Sequence, residues 1–208
     1  MKRFALFIFM LLLIGCVETQ KSLEGKKVLI VVAQYDFNYD EFSLVKDMLE
    51  KAGADVVTAS KGSTAYGSGG EQISIDLNLF EFITAIGREK FNPEEFDAFI
   101  FLGGKGAITY FDDKIDLADQ IIASIVKVGY ETAVIAAIDN APLIIAKYLP
   151  DAIVKDMEMT CNSTYENNLT QRGIKYTPNG VVIYKDIITA SSKEYTEEFV
   201  KAIIRKLS

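Results

Sequence analysis

The stretch Ala133–Leu149, AVIAAIDNAPLIIAKYL, is the most informative part of this sequence for its fold, because two apolar runs meet there at a single polar dipeptide. The first run is short and carries valine and isoleucine, which is typical of a strand buried on both faces of a sheet. The second run begins with Ala141–Pro142, and proline is favoured in the first turn of a helix. The stretch therefore predicts a buried strand, a sharp turn at Asp139–Asn140 and a helix.

The same alternation of buried strands and amphipathic helices extends over the rest of the chain. Lys26–Ala33 is rich in β-branched residues, and apolar residues from Phe42 to Ala52 then recur at helical spacing before Gly53. The glycine-rich residues 61–70 are expected to form a loop. Further elements are expected as strands at Asp55–Ser60, Phe96–Gly104 and Thr132–Ile138, as a hairpin at Val181–Ala190, and as helices ending at Gly129 and near Leu207. This order predicts an α/β three-layer sandwich with a mostly parallel, flavodoxin-like central sheet.

In sheets of this kind, ligands bind beyond the carboxyl ends of the strands. Three predicted strand ends carry residues that could serve such a site: Tyr35–Glu41, Gly103–Gly104 and Asp139–Asn140. The geometry of the fold therefore gives a location for function before any reaction can be named.

The first residues are typical of a secretory signal. Lys2 and Arg3 precede the apolar run Phe4–Ile14, which is shorter than the roughly 20 residues that a membrane-spanning helix needs. The run is followed by Gly15–Cys16, and this ending resembles the lipobox of prokaryotic lipoproteins, in which the cysteine is lipidated.

The chain is accordingly expected to have three parts. Residues 1–15 form a signal peptide, residues 16–25 form the lipidated Cys16 and a polar tether, and residues 26–208 form one domain. The mature protein is expected on the extracytoplasmic face of the cell membrane, held there through its lipid anchor.

Composition excludes several classes of function. The net charge of −7 would fall to −9 on removal of the signal, which takes away Lys2 and Arg3 and no acid, so nucleic acid is not an expected partner. The sequence contains no histidine, which excludes Ser-His-Asp and Cys-His catalysis and imidazole metal sites. Cys161 would be the one remaining cysteine, so no internal disulfide is expected. Neither a cofactor nor a metal is expected.

Four motifs, taken in order, resemble those of the PfpI/DJ-1 superfamily, the relatives of class I glutamine amidotransferases. They are the first strand and acidic helix start with EKAGADV (Glu50–Val56), FIFLGG (Phe99–Gly104), VIAAIDNAPLIIA (Val134–Ala146), and the closing hairpin VVIYKDIITA (Val181–Ala190). The resemblance covers roughly residues 26–207. It implies the same fold and, as a weaker expectation, a homodimer.

The resemblance also implies roles for individual residues. Glu41 corresponds to the glutamate that hydrogen-bonds the family's catalytic cysteine at a nucleophile elbow. Gly104 and Asn140 correspond to the donors of the two oxyanion-hole N–H groups. The cysteine itself corresponds to Asp139, so the protease, deglycase and glyoxalase-like activities of the family lose the thiolate on which they depend.

Asp139–Asn140 admits more than one interpretation. Both residue types tolerate a positive φ and either could cap the following helix, so the dipeptide could be no more than a turn. Alternatively, Asp139 and Glu41 could share a proton and act as acid and base, or Asp139 could act as a nucleophile. A third possibility is a Ca²⁺ or Mg²⁺ site completed by Asp36 or Asp40.

Glu41 likewise has two interpretations, because Asn38 and Glu41 have the spacing of a helix cap and its third residue. The principal hypothesis for the whole chain is a pocket that binds a small molecule or a protein partner without thiol chemistry. The alternatives are a hydrolase that uses the Glu41–Asp139 carboxyl pair and a flavodoxin-type FMN binder.

Overall fold

The computed structural model describes residues 22–84, 91–110, 117–178 and 180–208. The predicted signal peptide and Cys16 lie outside these ranges. Within the described ranges, no helix is both long enough and apolar enough to cross a membrane.

Short strands and helices alternate along the described residues. The strands, in chain order, are β1 (Lys27–Val31), β2 (Tyr35–Phe37), β3 (Asp55–Ser60), β4 (Thr64–Gly67), β5 (Gln72–Ser74), β6 (Leu77–Asn78), β7 (Ala98–Phe101), β8 (Val134–Ile138), β9 (Glu158–Met159), β10 (Lys175–Tyr176), β11 (Val181–Tyr184) and β12 (Ile187–Ala190). The α-helices are α1 (Tyr39–Ala52), α2 (Leu79–Thr84), α3 (Leu117–Thr132), α4 (Pro142–Tyr148), α5 (Asp151–Val154), α6 (Glu166–Thr170) and α7 (Thr196–Leu207).

The described residues form a central sheet in the order β11-β12-β8-β7-β1-β3-β6. Every pairing in this sheet is parallel except that of β11 with β12, which forms the closing hairpin. β7 and β8 are buried at every position, as the continuous apolar runs in the sequence require of strands covered on both faces. The predicted α/β sandwich with a mostly parallel sheet is therefore confirmed.

Helices cover the sheet, with α1 packed against α7 and α3 packed against β7 and β8. The prediction that the helix before β8 ends at Gly129 was wrong, because α3 continues to Thr132. A Cβ atom on Gly129 would lie 2.7 Å from the Phe99 ring and 2.8 Å from Ile135. The glycine therefore permits close packing of α3 on the sheet and does not end the helix.

The prediction of a plain loop over residues 61–70 was also wrong in part. Thr64–Gly67 forms β4, which lies between β2 and β5 in a second, three-stranded sheet. The Tyr66 N–H donates to the Gln34 carbonyl over 2.9 Å, and the Tyr35 and Tyr66 rings stack with centroids 5.5 Å apart. These tertiary contacts override a local composition that favours turns.

Candidate functional site

The turn after β8 has the geometry of a nucleophile elbow. Asp139 follows the strand directly with a φ of 61°, and its N–H donates to the Ala190 carbonyl at the end of β12 over 3.0 Å. The Ala141 N–H then donates to the Ile138 carbonyl over 3.1 Å, which closes the turn before α4 begins at Pro142. The turn predicted at Asp139–Asn140 is therefore present, and the side chain of Asp139 lies at the carboxyl edge of the parallel sheet.

Neither residue of the dipeptide caps the following helix. The N-cap of α4 is Ala141, which makes no side-chain cap hydrogen bond, so the capping interpretation was wrong. The Asp139 carboxylate instead accepts from the Gly104 N–H over 3.3 Å. The Asn140 Nδ2 donates to the Gly104 carbonyl over 2.8 Å. Both side chains are directed to the loop after β7 rather than to their own helix.

Gly103 and Gly104 allow this loop to come close to its neighbours. A Cβ atom on Gly103 would lie 2.6 Å from the Asp139 Cβ, and one on Gly104 would lie 2.6 Å from the Asp36 carbonyl oxygen. Gly104 also has a φ of 112°, which favours glycine. The glycine pair therefore brings two segments, β2 at Asp36 and the exit of β8 at Asp139, against one loop.

Glu41 enters the same site from the first turn of α1, where it is only 1% exposed. The Asn38 side chain caps the helix by accepting from the Glu41 N–H over 3.3 Å. The Glu41 carboxyl turns inward, where it accepts from the Gly103 N–H over 3.3 Å and from the Asn38 Nδ2 over 2.9 Å. The cap and the site residue therefore coexist, with Asn38 as the cap and Glu41 as the buried acid.

Burial is the largest cause that raises the pKa of Glu41, and the negative charge of Asp139 is the next. Together with a smaller contribution from Glu194, and against the hydrogen bonds from Gly103 and Asn38, they raise this pKa from 4.5 to about 8. No lysine or arginine of the described residues forms an ion pair with Glu41 or Asp139. The protonated form of Glu41 is therefore favoured at neutral pH, beside a second carboxyl group that is not paired with any basic side chain of the described residues.

The two donors that correspond to an oxyanion hole are in different states. The Gly104 N–H is already bound by the chain's own Asp139 carboxylate. The Asn140 N–H makes no hydrogen bond to the described residues, and the buried Asn140 Oδ1 has no partner among them either. One half of the predicted oxyanion site is thus filled from within the protein.

Asn162 is a site residue that the sequence did not reveal. Its N–H donates to the Asp139 carbonyl over 2.8 Å, and its Nδ2 donates to the Asp139 Oδ1, also over 2.8 Å. In the sequence Asn162 carries only the signature of a possible glycosylation site, and it is separated from Asp139 by α4, α5 and β9. No pattern of local spacing could have brought the two residues together.

Cys161, next to Asn162, is close enough to the elbow for Asp139 to affect its thiol. Burial is the main cause that raises the pKa of Cys161 to about 12, followed by the negative charges of Asp139 and Glu166. The thiol donates to the Asn162 carbonyl over 3.3 Å. The cysteine is therefore a neutral, buried group, which is not the reactive form of a thiol.

The cation site considered for Glu41, Asp139 and either Asp36 or Asp40 does not form. In the part of the chain that the structure describes, no three acidic, cysteine or histidine side chains come together in a way that could hold a metal ion. Asp36 and Asp40 are exposed, whereas the Glu41 carboxyl is buried and already accepts two hydrogen bonds.

Known proteins resemble this chain over most of its length. The DJ-1/PfpI family matches residues 26–206. An uncharacterized protein of Methanocaldococcus jannaschii is 27% identical over 100% of this chain and 98% of its own length. An uncharacterized protein of Staphylococcus aureus is 24% identical over 88% of this chain and 98% of its own length.

Solved structures have the same fold. A ThiJ/PfpI domain protein from Brachyspira murdochii superposes with a TM-score of 0.72 at 26% identity, covering 87% of this chain and 95% of that one. Drosophila melanogaster DJ-1beta superposes with a TM-score of 0.69 at 24% identity, covering 88% of this chain and 90% of that one. The likeness thus spans almost all of the domain.

Proposed function

The chain belongs to the DJ-1/PfpI family, and we propose that it is a binding member of that family which has lost cysteine-dependent hydrolysis. A small molecule or a segment of a partner protein would bind at the site formed by Glu41, Gly104 and Asp139. It lies at the carboxyl edge of the sheet, where α/β proteins bind their ligands.

The single observation that carries this proposal is the hydrogen bond from the Gly104 N–H to the Asp139 carboxylate. In acyl-transfer enzymes, a donor in this position stabilises the negative charge that develops on the substrate oxygen. Loss of one such donor costs roughly 10²–10³ in kcat. Here a negative carboxylate already occupies the donor in the resting protein, and it would repel a second developing oxyanion.

Glu41 is retained, but two other requirements of thiol chemistry are not met. The sequence has no histidine that could act as a base, and the one cysteine near the elbow, Cys161, is held neutral by burial. The nucleophilic form of cysteine is the thiolate, so a neutral Cys161 without a histidine base does not supply the nucleophile of the family reaction.

Turnover assays and native mass spectrometry test the proposal. The purified protein should convert neither methylglyoxal nor a fluorogenic peptide above the rate without protein. Native mass spectrometry should detect a bound small molecule or peptide that is lost in Asp139→Leu and retained in the exposed-site control Asp151→Leu. Turnover by the wild type, or an identical ligand-free mass in all three proteins, would contradict the proposal.

One observation favours a second candidate, a hydrolase that uses the carboxyl pair. Glu41, whose pKa is raised by burial and by the charge of Asp139, provides a proton donor beside a second carboxyl group, as in several acid–base enzymes. In that case the turnover of one of the two probes should be measurable, and it should fall in both Glu41→Gln and Asp139→Asn. Activity that survives Asp139→Asn would eliminate this candidate.

We further propose that the protein is exported and anchored by lipid on Cys16. The support is the order of Lys2–Arg3, the apolar run Phe4–Ile14 and Gly15–Cys16 in the sequence. Cells that express the full chain should incorporate radiolabelled palmitate into it and retain it in the membrane fraction, and Cys16→Ser should abolish both. Equal labelling and fractionation of Cys16→Ser would contradict the anchor.

A further inference from the structure

We propose that Asn162 is a positioning residue of the site, whose side-chain amide holds the Asp139 carboxylate on the Gly104 N–H. This inference rests on the proposed function, because it explains what keeps the Asp139 carboxylate on the N–H donor of the oxyanion position. The contact itself can be tested without any ligand.

Each oxygen of the Asp139 carboxylate has one fixed donor. Asn162 Nδ2 donates to Oδ1 over 2.8 Å, and the Gly104 N–H donates to Oδ2 over 3.3 Å. The terminal torsion of an aspartate side chain is broad and soft, so one donor alone would leave the carboxylate free to rotate. The shorter of the two contacts is the one from Asn162, which makes it the dominant restraint on the plane of the carboxylate.

The amide of Asn162 is itself fixed in direction. Its Oδ1 accepts from the Thr164 N–H over 3.1 Å, at the start of the short 3₁₀ helix Ser163–Tyr165. The contact with Thr164 requires the amide oxygen as acceptor, and the contact with Asp139 requires the amide NH₂ group as donor. Only one orientation of the amide satisfies both, so the NH₂ group must point to the carboxylate.

The backbone supports the same arrangement. The Asn162 N–H donates to the Asp139 carbonyl over 2.8 Å, so main chain and side chain of one residue bind main chain and side chain of the other. Asp139 has a positive φ of 61°, a conformation that costs free energy in a non-glycine residue. The double contact from Asn162 helps to maintain this strained turn.

Asn162→Asp separates the two contacts of the side chain. Aspartate is as good a helix cap as asparagine, so the hydrogen bond with Thr164 is retained. The Nδ2 donor, however, becomes a second carboxylate oxygen facing Asp139 Oδ1. We expect the unfolding temperature of Asn162→Asp to fall well below that of the wild type at pH 8 and to approach it at pH 4, where carboxylates gain protons. The exposed Asn168→Asp, in the same segment, is the matched control and should change little at either pH.

Reversal of the pair provides the decisive measurement. In the double variant Asp139→Asn with Asn162→Asp, the new amide at position 139 can accept from Gly104 and donate to the new carboxylate at position 162. We expect this variant to recover most of the stability that Asn162→Asp loses at pH 8. The inference would be overturned if the loss of stability in the double variant equalled the sum of the losses in the two single variants.

A second readout separates positioning from a purely structural role. In Asn162→Ala, the amide proton of Gly104 should move upfield in the NMR spectrum and exchange faster with solvent, because its acceptor is no longer held. The Gly103 amide, which donates to Glu41, serves as the internal control and should change less. An unchanged Gly104 signal in a folded Asn162→Ala variant would also overturn the inference. None of these measurements uses a ligand, so their failure is distinguishable from failure of the proposed binding function.

Discussion

The carboxyl groups of Glu41 and Asp139 accept hydrogen bonds from consecutive backbone N–H groups, those of Gly103 and Gly104, each over 3.3 Å. The two acids come from different elements, the first turn of α1 and the exit of β8. The turn after β7 therefore places two acidic groups side by side with no basic residue of the described chain paired to them. One proton must be retained for such an arrangement to be stable at neutral pH, and burial assigns it to Glu41.

The first prediction concerns the titration of Glu41. Its side-chain carboxyl resonance, followed by ¹³C NMR, should titrate with a pKa of about 8. Asp139→Asn removes the negative charge that is the second cause of this shift and should lower the pKa of Glu41. Because burial is the first cause, that pKa should still remain above the ordinary 4.5. A pKa of Glu41 that does not move in Asp139→Asn would show that the two carboxyl groups do not interact.

The second prediction follows from the sign of the same shift. A carboxyl group whose pKa is raised on folding costs the native state no stability below pH 4.5. It lowers the free energy of unfolding as the pH rises from there to about 8. This loss is on the order of 4 kcal/mol for a shift of this size. Urea unfolding across this window should therefore show a decline in the wild type that is absent in Glu41→Gln.

Glu41→Gln is expected to be less stable than the wild type at pH 4.5, because its NH₂ group must face either the Gly103 N–H or the Asn38 amide. Its disadvantage should shrink with rising pH, since it has no proton to lose. A difference between the two proteins that stays constant from pH 4.5 to pH 8 would refute the assignment of the shift to Glu41.

The site could be predicted only where the fold itself determines contacts. Parallel strands end at one edge, so the buried run before Asp139 and the run before Gly103–Gly104 were enough to bring these residues together. Family resemblance was required for Glu41, because an acid in a first helical turn is otherwise explained by the helix dipole.

The contribution of Asn162 could not be predicted, for a physical reason. Its contact with Asp139 joins two irregular segments, and neither hydrophobic period nor element order restricts how such segments meet. The same reason explains why β4 was not predicted, since its pairing with β2 depends on a hydrogen bond to Gln34 and on the stacking of Tyr35 and Tyr66. Patterns in the sequence encode burial well, and they encode polar contacts across loops poorly.

The third prediction concerns the close approach at Gly104. Gly104→Ala should destabilise the protein by about 3 kcal/mol, because the new Cβ atom would lie 2.6 Å from the Asp36 carbonyl oxygen and the residue has a φ of 112°. Gly70→Ala is the matched control, with a φ of 94° and no atom within 4 Å of the new Cβ. It should cost only about 1 kcal/mol, by chemical denaturation. Equal losses would show that the backbone conformation alone, and not the approach of the Asp36 loop, requires the glycine.

The fourth prediction concerns the reactivity of Cys161. In a Cys16→Ser background, Cys161 is the one remaining thiol, and burial first, then Asp139 and Glu166, raise its pKa to about 12. It should react with Ellman's reagent at pH 8 only when urea unfolds the protein, because the thiolate is the reactive form. Rapid reaction of the native protein would mean that this cysteine is accessible and ionised, and would reopen it as a nucleophile.

The fifth prediction is that Asp139→Cys does not restore the chemistry of the family. The substitution frees the Gly104 N–H and places a thiol at the elbow. It supplies neither a histidine, which the whole sequence lacks, nor a basic side chain that could lower the pKa of the new thiol. The adjacent Glu41 is buried, and as its proton leaves, its negative charge would oppose a thiolate. The absorbance of thiolate at 240 nm should therefore rise only at a pH above the ordinary pKa of cysteine.

Methylglyoxal turnover by Asp139→Cys in a Cys161→Ser background should equal that of Cys161→Ser alone. Turnover in the double variant that disappears on Glu41→Gln would show that a cysteine and this glutamate suffice for methylglyoxal conversion in this fold.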